Sequence, residues 1–224
     1  MRLWLAATGG ITVFERPHQP GRNLARQGAS KVHQRLDFQL KTLMTPTPPL
    51  RYTSTAIALH WLLALAIVGT FGLGLYVDDL PLSPQRIKLI SWHKWAGVTI
   101  LALSALRLLW RLTHRPPADV PMPAWQQRAA HAAHHALYVL FFAVPLAGWA
   151  YSSAAGFPIV WFGVLPLPDL LPVDKALAES IKPVHAPLAW ALAVVVALHV
   201  AAALKHHFID RDGLLDRIRP GRGG

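Results

Sequence analysis

Residues 182–208 read KPVHAPLAWALAVVVALHVAAALKHHF, and two features of that stretch decide the fold. Its apolar run is about as long as a helix needs to cross a hydrocarbon core of ~30 Å. Within it, His199 follows His185 by fourteen residues. Steps of ~100° bring the chain back to within roughly 40° of its starting face, and a rise of ~1.5 Å per residue separates the two rings by ~21 Å. One face of one helix therefore presents two imidazoles, one towards each side of a membrane.

Three more apolar blocks precede this one. They run from about residue 53 to 77, 91 to 113 and 129 to 152, with the fourth from about 186 to 208. The chain has 224 residues, 53% of them hydrophobic and only 15% charged, against ~25% charged in average soluble proteins. The fold class is all-α: an integral membrane bundle of four transmembrane helices. PPADVPMPAW at 116–125 cannot continue a helix, because its prolines lack the amide donor. The third connector, roughly thirty residues long, is a candidate functional loop. Its stretch FPIVWFGVLPLPDLL suits the membrane surface.

There are no cysteines, which excludes disulfides, iron–sulfur clusters, thiolate haem ligation and c-type haem attachment. The net charge of +11 is not a nucleic-acid footprint, since no basic face stands apart from the spans. Seventeen Lys and Arg residues fall on one side and five on the other, which predicts a multi-pass protein with both termini cytoplasmic. Residues 1–43 fit no part of this plan. They read as an over-called start, with Met44 the natural one, or as a disordered leader.

A polar ring inside a bilayer is costly and marks a functional candidate. His60 lies near the cytoplasmic end of the first block and matches His199 in depth; His93 opens the second block and matches His185. Two imidazoles facing each other across a bundle are what a six-coordinate haem needs. The competing reading has unconnected rings that snorkel or bond to carbonyls, and it suits any one of them better than the matched set of four. Zinc sites are compact and commonly include Cys or carboxylate, which these spans do not offer beside the histidines. A four-helix transporter using the rings as a pathway is the alternative from another class.

RYTSTAIALHW (51–61), SWHKWAGVTILALSALRLLWRL (91–112), AHAAHHALYVLFFAVPLAGW (130–149) and the opening stretch resemble, in order and spacing, the bacterial cytochrome b561 family. That family includes the superoxide oxidase of the inner membrane and relatives of the cytochrome b subunit of nickel–iron hydrogenase. The resemblance covers residues 52–219 and makes 44–224 one cytochrome domain of the bacterial inner membrane. It implies two haems b between the first, second and fourth helices, with His60, His93, His185 and His199 as axial iron ligands. The third helix is then a packing wall and a quinone contact.

Other residues take narrower expectations. Arg107 and Arg111 suit propionate pairing or snorkelling. His131 and His134, three apart, suit a propionate, a quinone headgroup or the interface, and His206 and His207 suit the interface or a propionate. Gly69, Gly72, Gly74 and Gly97 permit close approach of backbones or a porphyrin. Lys94 is the outer-face cation that would draw a small anion towards the outer haem. The resemblance implies electron transfer, in its most concrete form superoxide oxidation coupled to ubiquinone reduction in a respiratory chain. Its alternative is a non-catalytic subunit serving a dehydrogenase, a hydrogenase or a periplasmic partner. The partners implied are membrane lipid, a quinone and a periplasmic or membrane redox protein, with no nucleic acid.

Overall fold

The computed structural model describes residues 51–221; the expectations for residues 1–43 and for Met44 lie outside them. Four helices carry the described chain: α1 Ser54–Asp78, α2 Pro84–Thr113, α3 Ala124–Ala154 and α4 Lys175–Lys205. All four are long and apolar enough to cross a membrane. A two-stranded hairpin, β1 Val160–Trp161 and β2 Leu165–Pro166, stands between α3 and α4. A π-helical turn, His206–Asp210, and a 3-10 turn, Leu215–Arg217, follow α4.

Three helices begin earlier than their apolar runs, α3 among them at Ala124 in place of about residue 129. The first polar turns of α2 start at Pro84, where the Ser83 hydroxyl accepts from the Arg86 amide and proline occupies the first helical position. Helix α4 starts at Lys175 because the Asp174 carboxylate accepts from the Ala176 and Leu177 amides. It then runs through Pro183 and Pro187 without ending. Proline costs a water-exposed helix ~3 kcal/mol, but in a membrane an unwound segment would expose still more unpaired backbone. The third connector is therefore shorter than expected, and His185 lies well inside a helix. The whole interval from His185 to His199 is helical.

The bundle is apolar on its outside. Leu65 is 71% exposed, Val139 66% and Leu198 64%, a surface that suits lipid and would aggregate in water. The interior is held by Leu63, Ile67, Ile100, Leu137, Phe141 and Leu192, one or two residues from each helix. Ser152 and Ser153, buried at the end of α3, fasten the connector: the Ser152 hydroxyl donates to the Phe157 carbonyl and that of Ser153 accepts from the Leu170 amide.

The hairpin sits against α2. Trp95 Nε1 donates to the Val160 carbonyl at 2.6 Å, and Trp161 Nε1 reaches the Trp95 carbonyl and the Thr99 hydroxyl, both at 3.3 Å. Its turn places Phe162 at φ 51° and Gly163 at φ 74°, the left-handed pair that a tight hairpin requires. The connector's expected membrane-surface stretch is thus an ordered cap on one end of the bundle.

The opposite end is closed by the chain's tail. Trp61 Nε1 donates to the Ile218 carbonyl at 2.9 Å, the Tyr52 amide to the Arg217 carbonyl, and the Arg217 guanidinium to the Ala118 carbonyl. The tail is turned into place by His206, whose Nδ1 lies 2.6 Å from an Asp212 oxygen. Burial opposes ionisation of Asp212, but the Leu214 amide and the His206 ring outweigh it and hold its carboxyl below the usual carboxylate value. Because the folded value is depressed, this contribution is present above the ordinary carboxylate range and is lost as pH falls through the folded value. Asp212→Ala should speed tryptic cleavage after Arg217 several-fold at neutral pH while leaving the helical circular dichroism unchanged; mass spectrometry of the released tail reads it.

Candidate functional site

Each end of the bundle brings two imidazoles together across a helix pair. At the tail end, His60 of α1 and His199 of α4 have ring centroids 6.2 Å apart with planes at 57°. At the hairpin end, His93 of α2 and His185 of α4 stand 6.1 Å apart with planes at 86°. The four rings selected by depth and spacing are therefore paired as expected. A metal–imidazole bond of ~2 Å on each side of one ion puts two facing ring centroids about 6 Å apart, which is the separation at both ends.

The ring nitrogens support the same arrangement. His185 Nδ1 lies 3.0 Å from the Val144 carbonyl of α3. A carbonyl only accepts, so Nδ1 carries the proton and Nε2 keeps its lone pair. Metal-bound histidines are commonly held this way by a carbonyl on the other nitrogen. His60 Nδ1 and His93 Nδ1 are buried and make no such hydrogen bond. Four imidazoles in two facing pairs, with no cysteine in the chain, fit the axial ligation of b-type haem, and nothing in their geometry opposes it.

The surroundings of the two pairs differ. At the tail end His134 of α3 lies edge-on against His199, centroids 5.4 Å apart. Arg107 of α2 stands over the Tyr138 ring at 5.9 Å and acts electrostatically on His60, His134 and His199. Arg111, one turn further, is exposed at the end of α2. His131 turns away from the bundle: its Nε2 meets an Asp119 oxygen at 3.1 Å in the connector after α2. The Gln127 amide and that ring hold the Asp119 carboxyl below its usual value against a small opposing cost of burial. His131 and His134, expected to share a face, thus take different partners, Asp119 of the connector and the His199 ring of α4. His206, one of the expected interfacial residues, is held by Asp210 and Asp212.

At the hairpin end Lys94 is not a free cation. Its Nζ donates to the Phe157 carbonyl at 3.1 Å and lies over the Phe157 ring, so it ties the connector to α2 while keeping its charge one residue from His93. An apolar cleft of about 410 Å³ opens beside it, lined by Ala66 and Thr70 of α1, Trp92, Trp95 and Thr99 of α2, and Phe162 of the hairpin.

Sequence reasoning singled out Gly74 for a close approach but missed Gly148, and it missed that the approaching groups are imidazoles. Gly148 of α3 and Gly74 of α1 lie against the His185 and His93 rings respectively, whereas Gly69 and Gly72 face open space. A glycine one turn after the residue whose carbonyl meets the ring is a signal visible only once the helices are packed.

The family model described as prokaryotic cytochrome b561 matches residues 51–221. Cytochrome b561 homolog 2 of Escherichia coli (strain K12) is 38% identical over 172 residues, 76% of this chain and 92% of that protein. The probable superoxide oxidase CybB of Yersinia pestis is 32% identical over 176 residues, 78% of this chain and 98% of that one. Cytochrome b561 homolog 1 of Escherichia coli (strain K12) is also 32% identical over 176 residues, covering 77% and 98%. With a match spanning every described residue, the chain belongs to the prokaryotic cytochrome b561 family.

Proposed function

We propose that this membrane cytochrome holds two haems b, one between His60 and His199 and one between His93 and His185, and passes single electrons between them. The observation that carries the reading is the equal spacing of the two facing imidazole pairs, 6.2 and 6.1 Å between centroids, on opposite ends of α4. Haem bound between two imidazoles supplies outer-sphere one-electron chemistry and leaves no open coordination position for oxygen. The chain's part is to fix the rings, keep water from the bundle interior and set the charge near each end. The tail end is the cytoplasmic one, in a bacterial inner membrane, because the excess of Lys and Arg flanks it.

The most concrete reaction is oxidation of superoxide at the hairpin end coupled to quinone reduction: two superoxide anions give two molecules of oxygen, and a quinone takes up the two electrons with two protons. It rests on the relative named as a probable superoxide oxidase and on one cation at that end. Lys94 holds its charge one residue from His93 and offers a local attraction to a small anion, whereas the other cations of that side are offset by Asp78, Asp79, Asp169, Asp174 and Glu179. At the tail end, we assign Arg107 and Arg111 to propionates and His134, which lies against His199, to a quinone headgroup or its protons.

Reduced-minus-oxidised spectra with haem quantitation test the core of the reading. Two haems b per chain are expected. His60→Ala or His199→Ala should remove one, His93→Ala or His185→Ala the other, and His131→Ala should remove neither. Purified protein with no Soret and α bands after ample haem supply would end the reading.

Superoxide-dependent reduction of a short-chain ubiquinone by the purified protein tests the reaction. Lys94→Gln should lower its rate several-fold at low ionic strength and by less in high salt, as screening predicts. An inactive protein with both haems spectrally intact would point to an electron-transfer subunit that needs a partner.

A further inference from the structure

The four rings do not rest on the same kind of surface. A Cβ added at Gly148 would stand 3.0 Å from His185 Cε1 and 3.1 Å from its Nδ1; one at Gly74 would stand 3.0 Å from His93 Cε1 and 3.5 Å from its Nδ1. Both hairpin-end rings thus lie on bare backbone of a helix other than their own, His185 on α3 and His93 on α1. On α3 the residue four positions before the glycine also meets the ring: Val144 accepts from His185 Nδ1 at 3.0 Å, whereas His93 Nδ1 has no hydrogen-bond partner. No described glycine has His60 or His199 among its nearest neighbours. The seated pair has its planes at 86°, the other at 57°.

We propose that Gly74 and Gly148 are positioning residues that seat the two hairpin-end imidazoles and hold their planes nearly perpendicular, giving that haem an electronic structure distinct from its tail-end counterpart. The proposal rests on the reading of both pairs as axial ligands. An imidazole plane selects which of the two π-type iron d orbitals it perturbs. Two perpendicular planes perturb both equally and leave them close in energy, whereas planes turned towards each other split them. Near-degenerate orbitals make the ferric low-spin signal strongly anisotropic, and splitting makes it rhombic. Ligand orientation is one of the means by which a protein sets a cofactor's electronics. A methyl group at either glycine forces its ring to move by a few tenths of an ångström or to rotate, which at His185 also weakens the bond to Val144.

Low-temperature EPR of the oxidised, purified cytochrome, with haem quantitation on the same samples, tests this. The unaltered protein should show two low-spin signals, one far more anisotropic than the other. His93→Ala should abolish the more anisotropic one. Gly148→Ala and Gly74→Ala, on different helices, should each shift that signal towards rhombic and leave the second in place. Val139→Ala, on the lipid-facing surface of α3, should change neither, and Gly148→Val should lose about half of the haem. Equal anisotropy in both signals of the unaltered protein would overturn the proposal without any variant. So would unmoved signals in both alanine variants, or movement of the second signal alone. Absence of two haems from the unaltered protein would instead strike the ligand reading beneath it.

Discussion

A peptide group or an imidazole in hydrocarbon has no water to bond, and the rest of this structure depends on that constraint. Backbone amides must pair within their own segment, so the crossing pieces are helices even where Pro145, Pro183 and Pro187 remove donors. Polar side chains must point inward or reach an end. Leu65, Val139 and Leu198 therefore face out while His60, His93, His185 and His199 face one another. Tryptophan indoles obey the same rule: those of Trp61, Trp95 and Trp110 donate to oxygens of the tail, the hairpin and the start of α1, and that of Trp161 donates to the Trp95 carbonyl of α2.

The two ends answer the constraint differently. The hairpin end is capped by a short sheet pinned through tryptophans, and its two imidazoles rest on glycine backbone. The tail end is closed by main-chain bonds from the C-terminal segment and is crowded with His134, Arg107 and Tyr138. A ring packed among other titratable groups and a ring seated on bare backbone experience different fields. Two cofactors held by chemically identical ligands would therefore not be equivalent.

The four crossings and the pairing of the rings were legible because both follow from one-dimensional spacing: apolar run length and the fourteen residues between His185 and His199. Helix starts were legible only in part. Ser83-Pro84 and Asp174 are ordinary N-terminal signals, but polar first turns hide α2 and α4 from a reading based on hydropathy. Pro183 and Pro187 looked like connector residues because proline usually is one in water. The separate fates of His131 and His134 depend on Asp119, twelve positions away from His131 across a connector, and no spacing rule on a single helix announces that contact. The glycine seats belong to the same class. Gly72 and Gly74 are indistinguishable in sequence, and only the approach of α2 gives one of them an imidazole.

Helix α4 supplies one ring to each pair, and it follows the other three in the chain. During synthesis, the three helices already inserted hold His60 and His93 with no counterpart opposite either. Neither pair can close until α4 enters the membrane, and then both close in the same event. A chain interrupted before that point has no complete imidazole pair at either end. On the proposed ligand assignment, topology alone would order biogenesis: insertion would come first and cofactor capture last, and a half-made bundle would offer no six-coordinate iron through which electrons could leak.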